Sequence, residues 1–469
     1  MLRHRITVAI AACTLIGALA APIPAGAASS DAWPSSVAPI ARAVERAWGA
    51  RFDHPVQVRF LSDRAFRKEV TANESDLTKA ERRDIVQARD ELAAFGLVAP
   101  DLDLLAQTND VSAEGVLAYY DSERDEIVIR GRTLDVETRV TIAHELTHAL
   151  QDQRAELDAA TAKAERSNGA RFALDALTEG DAVNIEDEYI SNLTAAQQDE
   201  YDRAQSEGFD SFQQSTAEVP EIVQAVFDAP YTLGPGLAYV TRTRVGRRAI
   251  QALFRHPPRT EAAVLRAGME DPRPVRVARP RLAEGERRLG GAGPSDFGAL
   301  TMMSVLASRL DARTAVAAAD AWAGDATVTF RRDTRTCVRT TFAARSPEGL
   351  TTLADAWRAW ASSLPAGTAT VETAGPRITV TSCTPPSPVT PTQSVYAAYD
   401  LVTLRHDILA GLLDSGAPAR IAVCVADGVT RDPALPDLDA QYQENPDDAA
   451  VNERITAIFD REGKACGAG

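Results

Sequence analysis

Lysine is almost missing from this sequence. Lys68, Lys79, Lys163 and Lys464 are the only four among 50 basic residues, and the arginines that make up the rest gather into no stripe. Acidic residues number 66, so the formal net charge is -16. Nucleic-acid affinity rests on clustered positive charge that displaces counterions from phosphates, and a polyanionic partner is therefore disfavoured. Histidine and cysteine are scarce too, at six and five residues. No CxxC spacing occurs, which argues against a zinc ribbon. The main apolar run, Ile6 to Ala21, covers sixteen residues and is followed by Pro22 and Pro24, shorter than a usual bilayer span. Internal repeats are absent.

What is present suits a globular chain. With 45% hydrophobic and 25% charged residues, general disorder and a collagen-like fibre are both disfavoured, and 469 residues suggest about two or three domains. Arg3 and Arg5 precede the apolar run, and Ala25-Gly26-Ala27 offers small residues for cleavage, so residues 1–27 are expected to be an export signal. The protein is then secreted or held in the cell envelope, with no stable membrane insertion. A lipid anchor on Cys13 is the weaker alternative. The other cysteines, Cys337, Cys383, Cys424 and Cys466, are even in number and suggest two disulfides in an exported chain. Three pairings are open; Cys337 with Cys383 and Cys424 with Cys466 are favoured as chain neighbours.

The expected class is α+β. Residues 28–110 read as a helical lobe, with Ile85, Ala88, Leu92 and Phe95 at helical spacing. Gly115 to Tyr120 and Glu126 to Arg130 read as short strands, and a helix begins near Asp135 and runs to about Leu157. Arg171 to Leu193 is a second helix. Further helices fill Pro220 to Ala267, with breaks expected at Gly234-Pro235-Gly236 and at Pro257-Pro258. A main unit is thus bounded at 28–289, and Gly290 to Ser295 reads as a linker. A small α+β unit follows at 296–384: two helices lead to Trp322, then strands near 327–330, 337–343, 368–372 and 377–383 surround a helix at 349–362. Arg331 to Arg335 lie in it as a solvated connection. Residues 385–469 read as a proline-rich spacer and a helical C-terminal segment, with a helix from Ser394 to Leu413 and a polar tail.

The pentapeptide His144-Glu145-Leu146-Thr147-His148 carries the chemistry. Residues four apart on a helix differ by about 40° around its axis, so both imidazoles can reach one ion. Glu145 sits roughly 100° away, outside the ligand set yet near enough to serve a bound water as general base. Histidine is rare enough that an HExxH is expected by chance only about 0.005 times in such a chain. A catalytic metal needs a third protein ligand from another element. Glu179, on a face with Ala176, Ala182 and Val183, is the candidate; Glu186 is the rival ligand, and Asp175 could instead orient a histidine. A third histidine six residues after His148 is excluded, because that position is Arg154.

The run His144 to Ala149 followed by Asp152, with Glu179-Gly180-x-Ala downstream, resembles the gluzincin superfamily of zinc metallopeptidases. HELTHALQDQ at 144–153, Pro230 to Gly234 and Pro257 to Glu261 resemble secreted bacterial metallopeptidases more closely. The resemblance covers about residues 110–270 and implies a mainly helical zincin catalytic domain with a short edge-strand sheet. It implies one catalytic Zn2+ held by His144, His148 and Glu179, with Glu145 as base and Asp152 holding a ligand histidine. It also implies a peptide substrate laid along the strand at Val116 to Tyr120. No tyrosine lies between His148 and Glu179, so the group facing the oxyanion is left between Tyr231 and His256. Rival readings are a non-catalytic binding scaffold and a hydrolase of a non-peptide amide. Residues 28–100 are long enough to hold a propeptide.

Overall fold

The computed structural model describes residues 32–155, 157–164, 167–271, 273–289 and 296–467. The export signal expected over 1–27, Cys13 and the linker at 290–295 lie outside them. Ile40, Ala41, Val44, Ala47 and Trp48 recur at helical spacing and bury one face of helix α1 (Ala38–Trp48). Strand β1 (Gln57–Leu61) and helix α2 (Asp63–Val70) come next. Helix α3 (Lys79–Ala94) opens on a reciprocal Thr78–Glu81 cap, and helix α4 (Leu104–Gly115) on Asp103. The lobe expected to be all helical therefore contains a strand. Five residues with no alternating burial do not announce β1; its partner does, because β1 pairs in parallel with a strand more than sixty residues away.

That partner is strand β3 (Glu126–Arg130), which forms a hairpin with strand β2 (Ala118–Asp121), close to the two strands expected here. Ile127, Val128 and Ile129 are buried, as suits the central strand of a sheet ordered β1-β3-β2. β2 is left on an edge. Helix α5 (Val136–Ala155) follows, and Asp135 Oδ1 accepts from the Thr138 backbone N–H at 2.9 Å to start it. Helices α6 (Leu157–Ala164), α7 (Asn168–Ser191), α8 (Ala195–Ser215), α9 (Glu221–Val245), α10 (Arg247–Arg255) and α11 (Glu261–Leu265) complete this part. Pro257-Pro258 separates α10 from α11, as expected. Gly234-Pro235-Gly236 does not break α9, which runs through Pro230 and Pro235. Packing overrides the local preference: α7 lies tightly along α9, and Asn184 Nδ2 donates to the Pro235 carbonyl at 3.1 Å.

Strand β4 (Arg287–Arg288) leads to helices α12 (Ala299–Ala307) and α13 (Ala312–Ala321). Strands β5 (Trp322–Arg332) and β6 (Arg335–Ala344), helix α14 (Pro347–Ser362) and strands β7 (Ala369–Ala374) and β8 (Arg377–Cys383) then form the expected small α+β unit. Its antiparallel sheet runs β4-β5-β6-β8-β7, and Cys337 faces Cys383 across β6 and β8, where they form a disulfide. Helix α15 (Tyr396–Asp414) packs on α9. The C-terminal segment is helical as expected, and its polar tail folds as three helices: α16 (Ala419–Arg431), α17 (Leu435–Glu444) and α18 (Ala449–Ala465) bury Val425, Val429, Leu438 and Val451 among themselves. The Cys424–Cys466 disulfide ties them. Both bridges follow the favoured pairing.

One apolar cluster runs through these parts, from Val44 on α1 by Leu146 on α5, Ala176 on α7 and Leu233 on α9 to Trp357 on α14 and Val402 on α15. No described helix is long and apolar enough to cross a membrane. Acidic side chains stitch the small unit to the helices. Asp296 Oδ2 accepts from Ser167 Oγ and the Gly169 backbone N–H, at 2.8 and 2.9 Å, at the start of α7. Glu261 on α11 accepts from the Leu300 backbone N–H on α12.

Burial pushes the Glu261 carboxyl up to about 8 against the Leu300 hydrogen bond, with Asp325 and Asp296 adding to the rise. The folded-state value thus lies above the unfolded one, so the neutral acid contributes stability at low pH that is lost as pH rises through about 8. Glu261→Gln keeps the neutral form throughout. In urea unfolding, the variant should gain on its parent between pH 5 and pH 8, by up to about 1.4 kcal/mol per unit. A stability difference that does not change with pH would contradict the buried neutral acid.

Candidate metal centre

The site is made where α5 and α7 cross, and glycine sets how near α9 comes to the other side of α7. A Cβ on Gly180 would lie 2.1 Å from the Gly234 carbonyl carbon, and one on Gly234 would lie 2.0 Å from the Ala176 oxygen. α7 and α9 therefore touch backbone to backbone, and α7 is pressed between α9 and α5. Ala143, Leu146, Ala149 and Leu150 on α5 face Ala173, Ala176 and Leu177 on α7 within the same core. This packing brings Glu179, one residue before Gly180, to the histidines of α5.

His144 and His148 stack one turn apart, with ring centroids 4.8 Å from each other and rings nearly perpendicular. Glu179 Oε2 is 3.3 Å from His144 Nε2 and 3.1 Å from His148 Nε2. Those lengths match the edges of a tetrahedron, about 3.3 Å, drawn around an ion with bonds of about 2.0–2.2 Å. One ligand atom from each of the three residues lies within 4.8 Å of the others, and all three side chains are largely buried. His144, His148 and Glu179 could hold a metal ion, and the spacing expected from HExxH and the downstream glutamate is realised.

The far nitrogens decide what the near ones offer. His144 Nδ1 lies 2.9 Å from Glu186 Oε2, and Tyr201 donates its hydroxyl to the other oxygen of Glu186 at 3.1 Å. A carboxylate only accepts, so His144 carries its hydrogen on Nδ1. His148 Nδ1 lies 3.0 Å from Gln151 Oε1, while Gln151 Nε2 donates to Asp181 and to the Thr178 carbonyl, at 3.0 and 3.1 Å. The amide oxygen is thereby turned to the ring, and His148 also carries its hydrogen on Nδ1. Two Nε2 lone pairs and one carboxylate then face a single point. Only positive charge, a proton or a cation, relieves that arrangement.

The electrostatics agree. Burial pushes His144 down, but Glu179 and Glu186 outweigh it and hold it up at about 10. Burial pushes Glu179 up, but His148 and His144 pull it down to about 2. The acid is ionised and demands a cationic neighbour.

Glu145 is fully buried beside this group. Its carboxylate accepts from the backbone N–H of Tyr120 on β2, and its Oε1 has no hydrogen-bond partner among the described residues. Burial raises its pKa against the pull of His148 and His144. An orphaned, buried carboxylate oxygen next to three convergent donors fits a group that receives a proton.

Other expected site residues fall differently. Tyr231 on α9 comes close, its ring centroid 6.4 Å from that of His144. His256 is exposed at the end of α10, and no hydrogen bond or ring contact among the described residues joins it to the cluster. Glu186, weighed as a rival ligand, holds the outer nitrogen of His144 instead. Asp175 pairs with Arg171 at 3.0 Å rather than with a histidine. Asp152 accepts from the Tyr120 hydroxyl at 3.0 Å, and the histidine role expected of it is filled by Gln151 and Glu186. Gln151 was visible in principle, three residues beyond His148 on one helix face. Tyr201 was not, because only the fold brings α8 against α5, where the tyrosine reaches Glu186.

Gly180→Ala should separate α7 from α9, costing about 1–3 kcal/mol, and should reduce the affinity for added divalent metal because Glu179 moves with it. Thermal unfolding and metal titration check both; parent-like values for the variant would show that the close contact does not set the site. Comparison of the chain with known protein families, with curated proteins and with solved structures finds no match.

Proposed function

We propose that this protein is an exported zinc-dependent peptidase of the gluzincin kind, hydrolysing peptide bonds with Glu145 as general base. The observation that carries the reading is the pairing of a convergent His144–His148–Glu179 group with the Oε1 of Glu145 beside it, which has no partner among the described residues. Two imidazoles and one carboxylate are a zinc donor set, and three protein ligands leave a corner open for substrate or water. Bound there, the ion supplies Lewis acidity, polarising a carbonyl and lowering the pKa of a water.

The protein's own groups do the rest. Glu145, raised by burial, takes the proton of the attacking water and passes it to the leaving amine. The backbone N–H of Tyr120 holds the base against β2, the edge strand, whose free side is the natural place for an extended peptide to add. A peptide held there lies next to the base that cleaves it. Tyr231, beside His144, is the proposed donor to the oxyanion, in preference to His256, which no contact among the described residues ties to the cluster.

Glu145→Gln should retain the parent's zinc content while hydrolysis of a mixed peptide pool falls by about 10²–10⁴-fold. His148→Ala should lose the metal itself. Chelator-sensitive hydrolysis that persists in Glu145→Gln would overturn the assignment of the base, and a parent that binds zinc without cleaving any peptide would leave the scaffold as a binding protein.

A further inference from the structure

Helix α1 is remote from the metal helices in sequence, yet it packs on both α5 and α7, and its last residue, Trp48, is 2% exposed. The indole Nε1–H donates to Asp181 Oδ2 at 2.7 Å. Asp181 is fully buried, where a carboxylate is costly unless donors meet its lone pairs. Three elements supply them: Trp48 from α1, Gln151 Nε2 from α5 at 3.0 Å, and Arg242 from α9 at 3.2 Å. This carboxylate, with the Thr178 carbonyl, is what turns the Gln151 amide nitrogen inward and leaves its oxygen for His148.

We propose that Trp48 is a positioning residue of the metal centre, acting through Asp181 and Gln151 on the ring of His148. The proposal rests on the reading of His144, His148 and Glu179 as metal ligands. Without the indole donor, Asp181 Oδ2 keeps Gln151 as its one close partner and is freer to turn toward Arg242. Once Asp181 turns away, only the Thr178 carbonyl holds the Gln151 nitrogen inward, and the flipped amide becomes more populated. A flipped amide points N–H groups at His148 Nδ1, which drives the ring hydrogen to Nε2 and blocks the lone pair that a metal needs. The span that carries Trp48 is also joined to the site's sheet through β1, which pairs with β3 over its whole length. Residues 38–61 are accordingly a working part of the centre and not a propeptide to be shed.

Cobalt(II) binding to the full-length chain tests this, read by competition with a chromophoric chelator and by the visible absorption of the bound ion. Trp48→Phe keeps the aromatic packing and removes the donor; it should bind cobalt about tenfold more weakly, the low end of what outer hydrogen-bond partners contribute, and with an altered visible band. Asp181→Asn, nearly isosteric, should weaken binding on the same scale and decides the matter if Trp48→Phe does not fold. The double variant should be no worse than the poorer single one, since both cut one link. Parent-like affinity and spectrum in either folded single variant, or additive losses in the double variant, would overturn the role of Trp48. A parent chain that binds no cobalt would sink the metal centre itself, which is a different failure.

Discussion

Three electron-rich atoms buried at one point repel one another, and much of this molecule can be understood as the means of holding them there. His144 Nε2, His148 Nε2 and a Glu179 oxygen converge because their outward groups are already committed elsewhere: Glu186 and Tyr201 behind one ring, Gln151 and Asp181 behind the other. Each outer partner is an acceptor or is made one by its own neighbour, so each Nδ1 carries a hydrogen and each Nε2 is the nitrogen turned to the centre. The consequence is a site that calls for positive charge at its centre, a proton or a cation.

The scaffold meets that demand with close packing rather than with local preference. Gly180 and Gly234 let two helices touch backbone to backbone, which is why α9 stays helical through Pro235 and why Glu179 arrives at the histidines. Behind α9, His406 on α15 fills the space next to Gly236, so the C-terminal helices press on the same crossing. Asp296 at the start of α7 and Glu261 at the start of α11 then join the small α+β unit to the metal helices. Units that look separable along the chain share one interior.

Much of this was legible in the sequence where one residue type or one period carries the information. HExxH marked α5, small neighbours marked the Glu179 face, and alternation marked β5, β6, β7 and β8 within a few residues. The favoured disulfides were right because Cys337 and Cys383 lie on neighbouring strands, and Cys424 and Cys466 on packed helices. What escaped depends on tertiary partners. β1 exists because β3 does, α16 to α18 exist because their apolar residues find one another, and the two prolines of α9 are tolerated because α7 and α15 grip it. The histidine partners followed the same rule: Gln151 shares a helix with His148, whereas Glu186 acts with Tyr201 from α8, a pairing that no spacing reveals.

Anomalous diffraction at the zinc edge, from crystals of the full chain equilibrated with zinc, shows whether a divalent cation binds among His144, His148 and Glu179. The expectation is one strong peak, bonded to both Nε2 atoms and to the Glu179 carboxylate at about 2.0–2.2 Å, with Glu145 Oε1 turned toward its open side. A cluster that stays free of zinc while both rings keep their present positions, or a peak bound elsewhere in the molecule, would contradict it.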